Sequence, residues 1–230
     1  SEQQTVENNR QTVSNRHNGG IHMDYTTYYE EYDTITEERY GELKSMLEAQ
    51  DKKKKFQAFH LRKLEFIGTN DQKAVPNFFL CVKNQDENEI YLEKKFIQGD
   101  IHFKKCAKLT KEECDRILRG DIDWMKDHKK GLFSDFYRQV SLNHLSPGRV
   151  TDYEREMLKG KKESYVTFSK KIERAVGRTR DLFEVPEFTL SCLDEGKVLV
   201  TYKKEAILPA VLVTIMQIQK DKEGELAFAF

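Results

Sequence analysis

Long apolar runs are missing from this sequence: no stretch approaches the ~20 residues that a helix needs to cross a bilayer, and no signal peptide opens the chain. Cysteine is sparse. The four thiols, Cys81, Cys106, Cys114 and Cys192, include no CxxC pair, which argues against a zinc site and against a disulfide-framed secreted scaffold. The six histidines show no paired spacing, so a histidine metal site is not expected either. An excess of one charge is also lacking, since Lys+Arg and Asp+Glu are both 39. No overall field therefore recruits nucleic acid or a membrane surface, and the basic run 52–55 reads as a solvated loop. These absences predict a soluble, cytoplasmic protein with free thiols, no membrane span and no nucleic-acid partner.

What is present is charge in balance with a core. Of the 230 residues, 38% are hydrophobic and 34% charged, enough for one large domain beneath a heavily charged surface. Residues 1 to about 20, polar and ending in Gly19-Gly20, are read as a flexible arm, and 1–27 are set apart from the domain, although 24–33, with Tyr25, Tyr28, Tyr29 and Tyr32, can supply a first strand. Thr34-Ile-Thr-Glu37 reads as a capping box, followed by a helix over 37–49. Strands are predicted over 59–66 and 78–83. A hairpin follows over 90–97 and 101–108, turning at Gln98-Gly99-Asp100. A second capping box, Thr110-Lys-Glu-Glu113, opens a helix that stops at Gly120. A further helix spans 132–142, because Leu132, Phe133, Phe136, Tyr137 and Val140 share a face. Trp124 and Met125 read as helix packing. Strands resume over 149–156, 165–172 and 197–203, and a last helix would start at Pro209. Residues 28–230 are thus read as a single α+β domain dominated by antiparallel sheet.

Alternation along the strands sorts the charges. In the hairpin, Ile90, Leu92 and Phe96 share one face with Lys94, while Tyr91, Glu93 and Lys95 share the other. In the partner strand, Ile101, Phe103 and Ala107 share a face with Lys105, opposite His102, Lys104, Cys106 and Lys108. Tyr153 and Arg155 fall on one side, as do Tyr165, Thr167, Ser169 and Lys171, and as do Thr201 and Lys203. Polar faces of this kind can simply meet water. They can also line the inside of a closed sheet, where clustered cations would repel one another and favour an anion, a phosphate chain above all. Alternation alone does not choose.

A run of motifs points to the second arrangement. Glu89-Ile-Tyr-Leu-Glu-Lys-Lys95, Lys104-Lys105, Leu109-Thr-Lys-Glu-Glu-Cys114, Gly120-Asp-Ile-Asp-Trp-Met125, Leu145-Ser-Pro147, Asp152-Tyr-Glu-Arg-Glu156, Tyr165-Val-Thr-Phe-Ser169, Asp181-Leu-Phe183 and Leu208-Pro209 occur in one order. In that order, and with those gaps, the chain resembles the VTC polyphosphate polymerase domain in its bacterial form, a member of the CYTH-like triphosphate tunnel metalloenzymes. The resemblance implies an antiparallel β-barrel with helices packed outside and a basic tunnel within. It also implies transfer of the ATP γ-phosphoryl group to polyphosphate with a divalent metal, typically Mn²⁺ (or Mg²⁺). Such chemistry needs positioning and charge neutralisation rather than a nucleophilic side chain.

Position by position, the resemblance places Arg155 and Lys203 as catalytic cations. It places Arg62, Lys83, Lys95, Lys104 and Lys105 as substrate-binding residues, and Glu93 and Glu30 as metal ligands. Departures are equally visible. The family's Arg-x-Glu-x-Lys first strand is Tyr28-Tyr-Glu30-Glu-Tyr32 here, its Phe-Arg-x-Arg strand retains Lys83, and Tyr165 and Ser169 replace an arginine and an aspartate. Thr201 stands where the family has a metal-binding glutamate, a poor exchange for a hard cation. The expected ligand is a phosphate-rich anion such as ATP or polyphosphate, with metal binding weakened at Thr201 and Ser169. Three functions follow: a working polymerase, a non-catalytic phosphate-chain binder, or a structural or regulatory subunit with a vestigial tunnel and a protein partner.

Overall fold

The computed structural model describes residues 25–28, 30–50, 55–69, 77–98, 101–159 and 165–203. Its elements follow the chain as β1 (Tyr25–Tyr28), β2 (Glu30–Thr36), α1 (Glu37–Gln50), β3 (Gln57–Ile67), β4 (Asn77–Lys83), β5 (Ile90–Gln98) and β6 (Ile101–Leu109). Then come α2 (Lys111–Leu118), α3 (Gly131–Asn143), β7 (Ser146–Lys159), β8 (Tyr165–Ala175), β9 (Thr189–Ser191) and β10 (Lys197–Lys203), with a 3₁₀ turn at Asp123–Met125 between α2 and α3. The expected helix at Pro209 lies outside the described residues.

The strands form one antiparallel sheet in the order β1-β6-β5-β4-β3-β7-β8-β10-β2, with β9 paired to β8. Its two edges, β1 and β2, are consecutive in sequence, and Tyr28 and Glu30 can stand no more than about 7 Å apart. One N-terminal segment therefore pairs first with β6 and then with β10. The sheet has to curl until its edges meet along that segment, although no hydrogen-bond ladder joins β1 to β2 in this order.

Packing decides which face turns outward. Leu64 and Phe66 of β3, Phe78, Leu80 and Val82 of β4, and Ile90 and Leu92 of β5 are buried with residues of α2, α3 and the 3₁₀ turn. Phe136 of α3 meets Phe66 and Phe78 edge to face, with centroids 4.9 and 5.2 Å apart, a geometry that suits the ring quadrupoles. On the other half, Leu43 and Leu47 of α1 cover Phe168, Val198 and Val200. The helices thus seal the outer face, and the alternate residues of β3, β4, β5, β7, β8 and β10 point inward.

Local signals explain the helix ends. Thr110 and Glu113 form the reciprocal capping box expected for α2, and Gly120 just past the helix adopts a φ of 84°, which glycine takes without steric cost. The cap of α1 differs from the expectation. Strand β2 runs through Thr36, whose Oγ1 accepts from the Arg39 amide at 3.3 Å, so Thr36 caps the helix while Thr34 stays in the ladder with Leu199. A second difference lies in β8, where Lys171 has a φ of 50° and the register to β7 steps between Asp152 and Glu154. That bulge turns Ile172 inward and sends Lys171 out to Glu154, 2.8 Å away, so Lys171 does not share the face of Thr167 and Ser169.

A lysine-lined interior as candidate functional site

The inward positions gather around one carboxylate. Glu93 of β5 sits opposite Phe79 of β4 and Cys106 of β6, and is 3% exposed. Its Oε1 accepts from Lys63 Nζ at 2.6 Å, and its Oε2 lies 2.9 Å from Lys104 Nζ. Lys95 Nζ approaches to 4.0 Å, and the Cys106 thiol stands 3.8 Å from Oε2. Lys63, at 1% exposure, also lies over the Phe79 ring. Three ammonium groups from β3, β5 and β6 thus converge on one carboxylate. Glu93 and Lys63 are buried beyond what a polar face meeting water would be, while Lys104 and Cys106 keep some exposure.

Charge neutralisation makes that burial tolerable. Desolvation alone would raise the pKa of Glu93, but the ammonium groups of Lys104, Lys63 and Lys95 outweigh it and hold the carboxyl well below its usual range. Burial likewise works against Lys63 and Lys104, and Glu93 more than compensates, holding both above the ordinary lysine range. The neighbouring Cys106 is exposed as a residue, but desolvation around its sulfur and the same carboxylate push the thiol up to about 11, so it is neutral at physiological pH.

Arg155 enters from β7. Its Nε donates to Ser169 Oγ at 3.0 Å, and its guanidinium lies 4.8 Å from the Tyr153 ring centroid. Beside it on β8 and β10 are Thr167 and Thr201, direct neighbours in register and 2% and 3% exposed. Neither hydroxyl has a hydrogen-bond partner. A buried hydroxyl in that state costs on the order of 1–3 kcal/mol. Lys83, at the end of β4, lies 4.5 Å from the Phe59 ring centroid. Tyr153, Ile172, Leu193 and Leu199 pack together in a further part of the interior.

The predicted residues divide by face. Lys95 and Lys104 gather on Glu93, Arg155 faces the same interior from β7, and Lys83 takes an inward position of β4. Lys203 and Glu30 are register partners of β10 and β2, and their side chains lie outside the described residues. Arg62 is a correction. It shares the parity of Leu64 and Phe66, so it turns outward, where its Nε and Nη2 grip both oxygens of Asp152 at 2.8 and 2.9 Å and its Nη1 donates to the carbonyls of Leu182 and Glu184. Its neighbour Lys63 takes the inward place, which the alternation anchored on Leu64 and Phe66 would have revealed. Lys105 is likewise outside, in register with Lys94, whose Nζ reaches Asp135 of α3 at 2.5 Å. Burial and the charge of Lys94 hold Lys105 below the usual lysine range.

A resident divalent cation does not fit the donors whose side chains the structure describes, which do not include Glu30. Both oxygens of Glu93 are already held by ammonium groups, and Thr201, Thr167 and Ser169 provide neutral hydroxyls where a hard cation needs carboxylates. Among the described residues, no three His, Cys, Asp or Glu side chains cluster as metal ligands would.

Also among the described residues, no helix is long and apolar enough to cross a membrane. Comparison with solved structures finds "a putative adenylate cyclase" from Bacillus halodurans at 12% identity and a TM-score of 0.55, covering 89% of this chain and 98% of that one. A putative adenylyl cyclase from Hippeastrum aligns over 88% of this chain and 94% of that one at 8% identity, with a TM-score of 0.49, too low to bear on the fold. No curated protein matches the chain. The model of the VTC domain family matches residues 80–199, from β4 into β10 and more than half of the sequence. The α+β architecture, an antiparallel sheet curled around a charged interior with helices outside, is that of a triphosphate tunnel, and the chain belongs to the VTC domain family.

Proposed function

We propose that this chain binds phosphate chains, such as triphosphate, the phosphates of ATP or polyphosphate, in the interior of a single tunnel domain. The observation that carries the reading is the convergence of Lys63, Lys95 and Lys104 on Glu93, with Arg155 on the same inward face. Among the described side chains cations outnumber carboxylates there, and a polyanion would relieve their mutual repulsion while its oxygens accept from them. Membership of the VTC family supports this ligand class. Arg155 and Lys203 are the residues proposed to absorb charge on a terminal phosphoryl group, with Lys83, Lys95 and Lys104 along the chain. The family's transfer of phosphoryl groups from ATP with Mn²⁺ is not carried over, because the donor set described above does not suit the metal.

Glu93 favours a second reading. It already serves as an internal anion for Lys63 and Lys104, so the tunnel can hold together without a ligand, as a structural or regulatory subunit would require. Calorimetric titration of tripolyphosphate at low and moderate salt separates the two. The first reading expects saturable one-site binding that weakens with salt and in Lys104→Ala or Lys63→Met. Absence of binding at millimolar ligand would remove it and leave the second.

A further inference from the structure

We propose that Thr167 and Thr201, together with Ser169 and Arg155, form a metal-free cradle for one phosphoryl group of the bound chain. The inference rests on the phosphate-chain reading and assigns it a subsite. Thr201 and Thr167 are direct register partners on β10 and β8, and Ser169 lies two residues along β8 on the same inward face. All three are buried, at 3%, 2% and 0% exposure, yet the Thr167 and Thr201 hydroxyls lack any partner. Ser169 Oγ accepts from Arg155 Nε, which brings a guanidinium to the same place.

The chemistry favours an anionic oxygen. Each threonine hydroxyl can donate one hydrogen bond, and a phosphoryl oxygen only accepts. Two orphan donors on the face that Arg155 occupies therefore match an oxyanion. Carboxylates at these positions would repel phosphate unless a cation stood between them. Hydroxyls reverse that requirement, so the phosphoryl group can sit directly against the protein. The ammonium groups of Lys63, Lys95 and Lys104 then supply the charge for the rest of the chain. The competing occupant of the threonine pair is a bridging water.

The test is calorimetric titration of tripolyphosphate into the wild type, Thr167→Val, Thr201→Val, the double valine variant and Thr201→Ser, all in a chelating buffer, with thermal melts alongside. Valine keeps the shape and strand propensity of threonine. Should either valine form fail to fold, the alanine form takes its place. Expected is binding by the wild type without added metal, weakened about tenfold by each valine as a charge-assisted hydrogen bond is lost, with serine largely restoring it and no fall in melting temperature. Valine variants that bind like the wild type would show that the pair holds only water, overturning the cradle while leaving phosphate binding intact. Binding by the wild type that requires Mn²⁺ and disappears in Glu93→Gln would also overturn it. A wild type that binds tripolyphosphate under no condition would remove the cradle and the functional reading together.

Discussion

Replacing Glu93 by glutamine keeps the shape of the side chain and removes the charge shared by Lys63 and Lys104. Lys63 is 1% exposed, so its ammonium group cannot turn to water when the carboxylate is gone. Breaking a buried ion pair from one side costs about 3–5 kcal/mol. The amide oxygen can still accept one hydrogen bond, which points to the lower end. At about 3 kcal/mol and roughly 2–4 °C per kcal/mol for a chain of this size, the melting temperature should fall by about 6–12 °C. The pH dependence adds a signature. The folded carboxyl titrates well below 4.5, so its contribution is present above that value and is lost as pH falls through the depressed folded one. Wild type and variant should therefore differ by a constant amount near neutrality and converge in acid. Calorimetric melts between pH 3 and 8, read on a pH scale accurate to about 0.1, provide the assay. A shift of less than about 2 °C at pH 7, or a difference that does not shrink in acid, would refute the buried clamp.

The same carboxylate predicts thiol behaviour: Cys106 in the wild type should alkylate slowly at pH 8 and faster only towards pH 11, whereas Glu93→Gln should react sooner, as followed by mass spectrometry of the modified peptide. Asp135→Asn should lower stability by about 1.5–3 kcal/mol by chemical denaturation, since Asp135 accepts from Lys94 and Arg138. Because that pair lies outside the curl, tripolyphosphate affinity should be unchanged by calorimetry. Gly148→Ala should cost about 1–3 kcal/mol in the same denaturation assay, because a Cβ there would stand 3.0 Å from Glu65 Cγ and 3.1 Å from the Glu65 carbonyl oxygen.

Much of this arrangement was legible because alternation survives in the hairpin of β5 and β6. Ile90 and Leu92 against Glu93 and Lys95 already named the two faces, and the packing of Phe136 only told which face was outside. Arg62 was misplaced because Leu61 and Leu64 flank the Arg62-Lys63 pair symmetrically, and parity within β3 emerges only when α3 claims Phe66. Lys171 was misplaced because a bulge leaves no mark in composition. The cap of α1 went to Thr34 because two threonines stand two residues apart, and only the length of the ladder to β10 selects Thr36. The three exposed residues of β9 offered neither burial nor periodicity. At the site, the resemblance indicated charge at Glu93, Lys104 and Arg155, but the unpartnered state of Thr167 and Thr201 depends on the register that sets β8 against β10.

The placement of β1 and β2 at opposite edges bears on how the chain is made. Synthesis delivers these strands first, yet β1 has no partner until residue 109 has emerged, and β2 none until residue 203. Until β10 emerges the growing sheet offers a bare edge on β8, the kind of surface that recruits other chains. Closure is thus a late, long-range event that joins the first strands to the last, which slows folding and leaves nascent or truncated chains open to aggregation. A chain ending before β10 would lose far more than one strand, because β2 would have nothing to clasp.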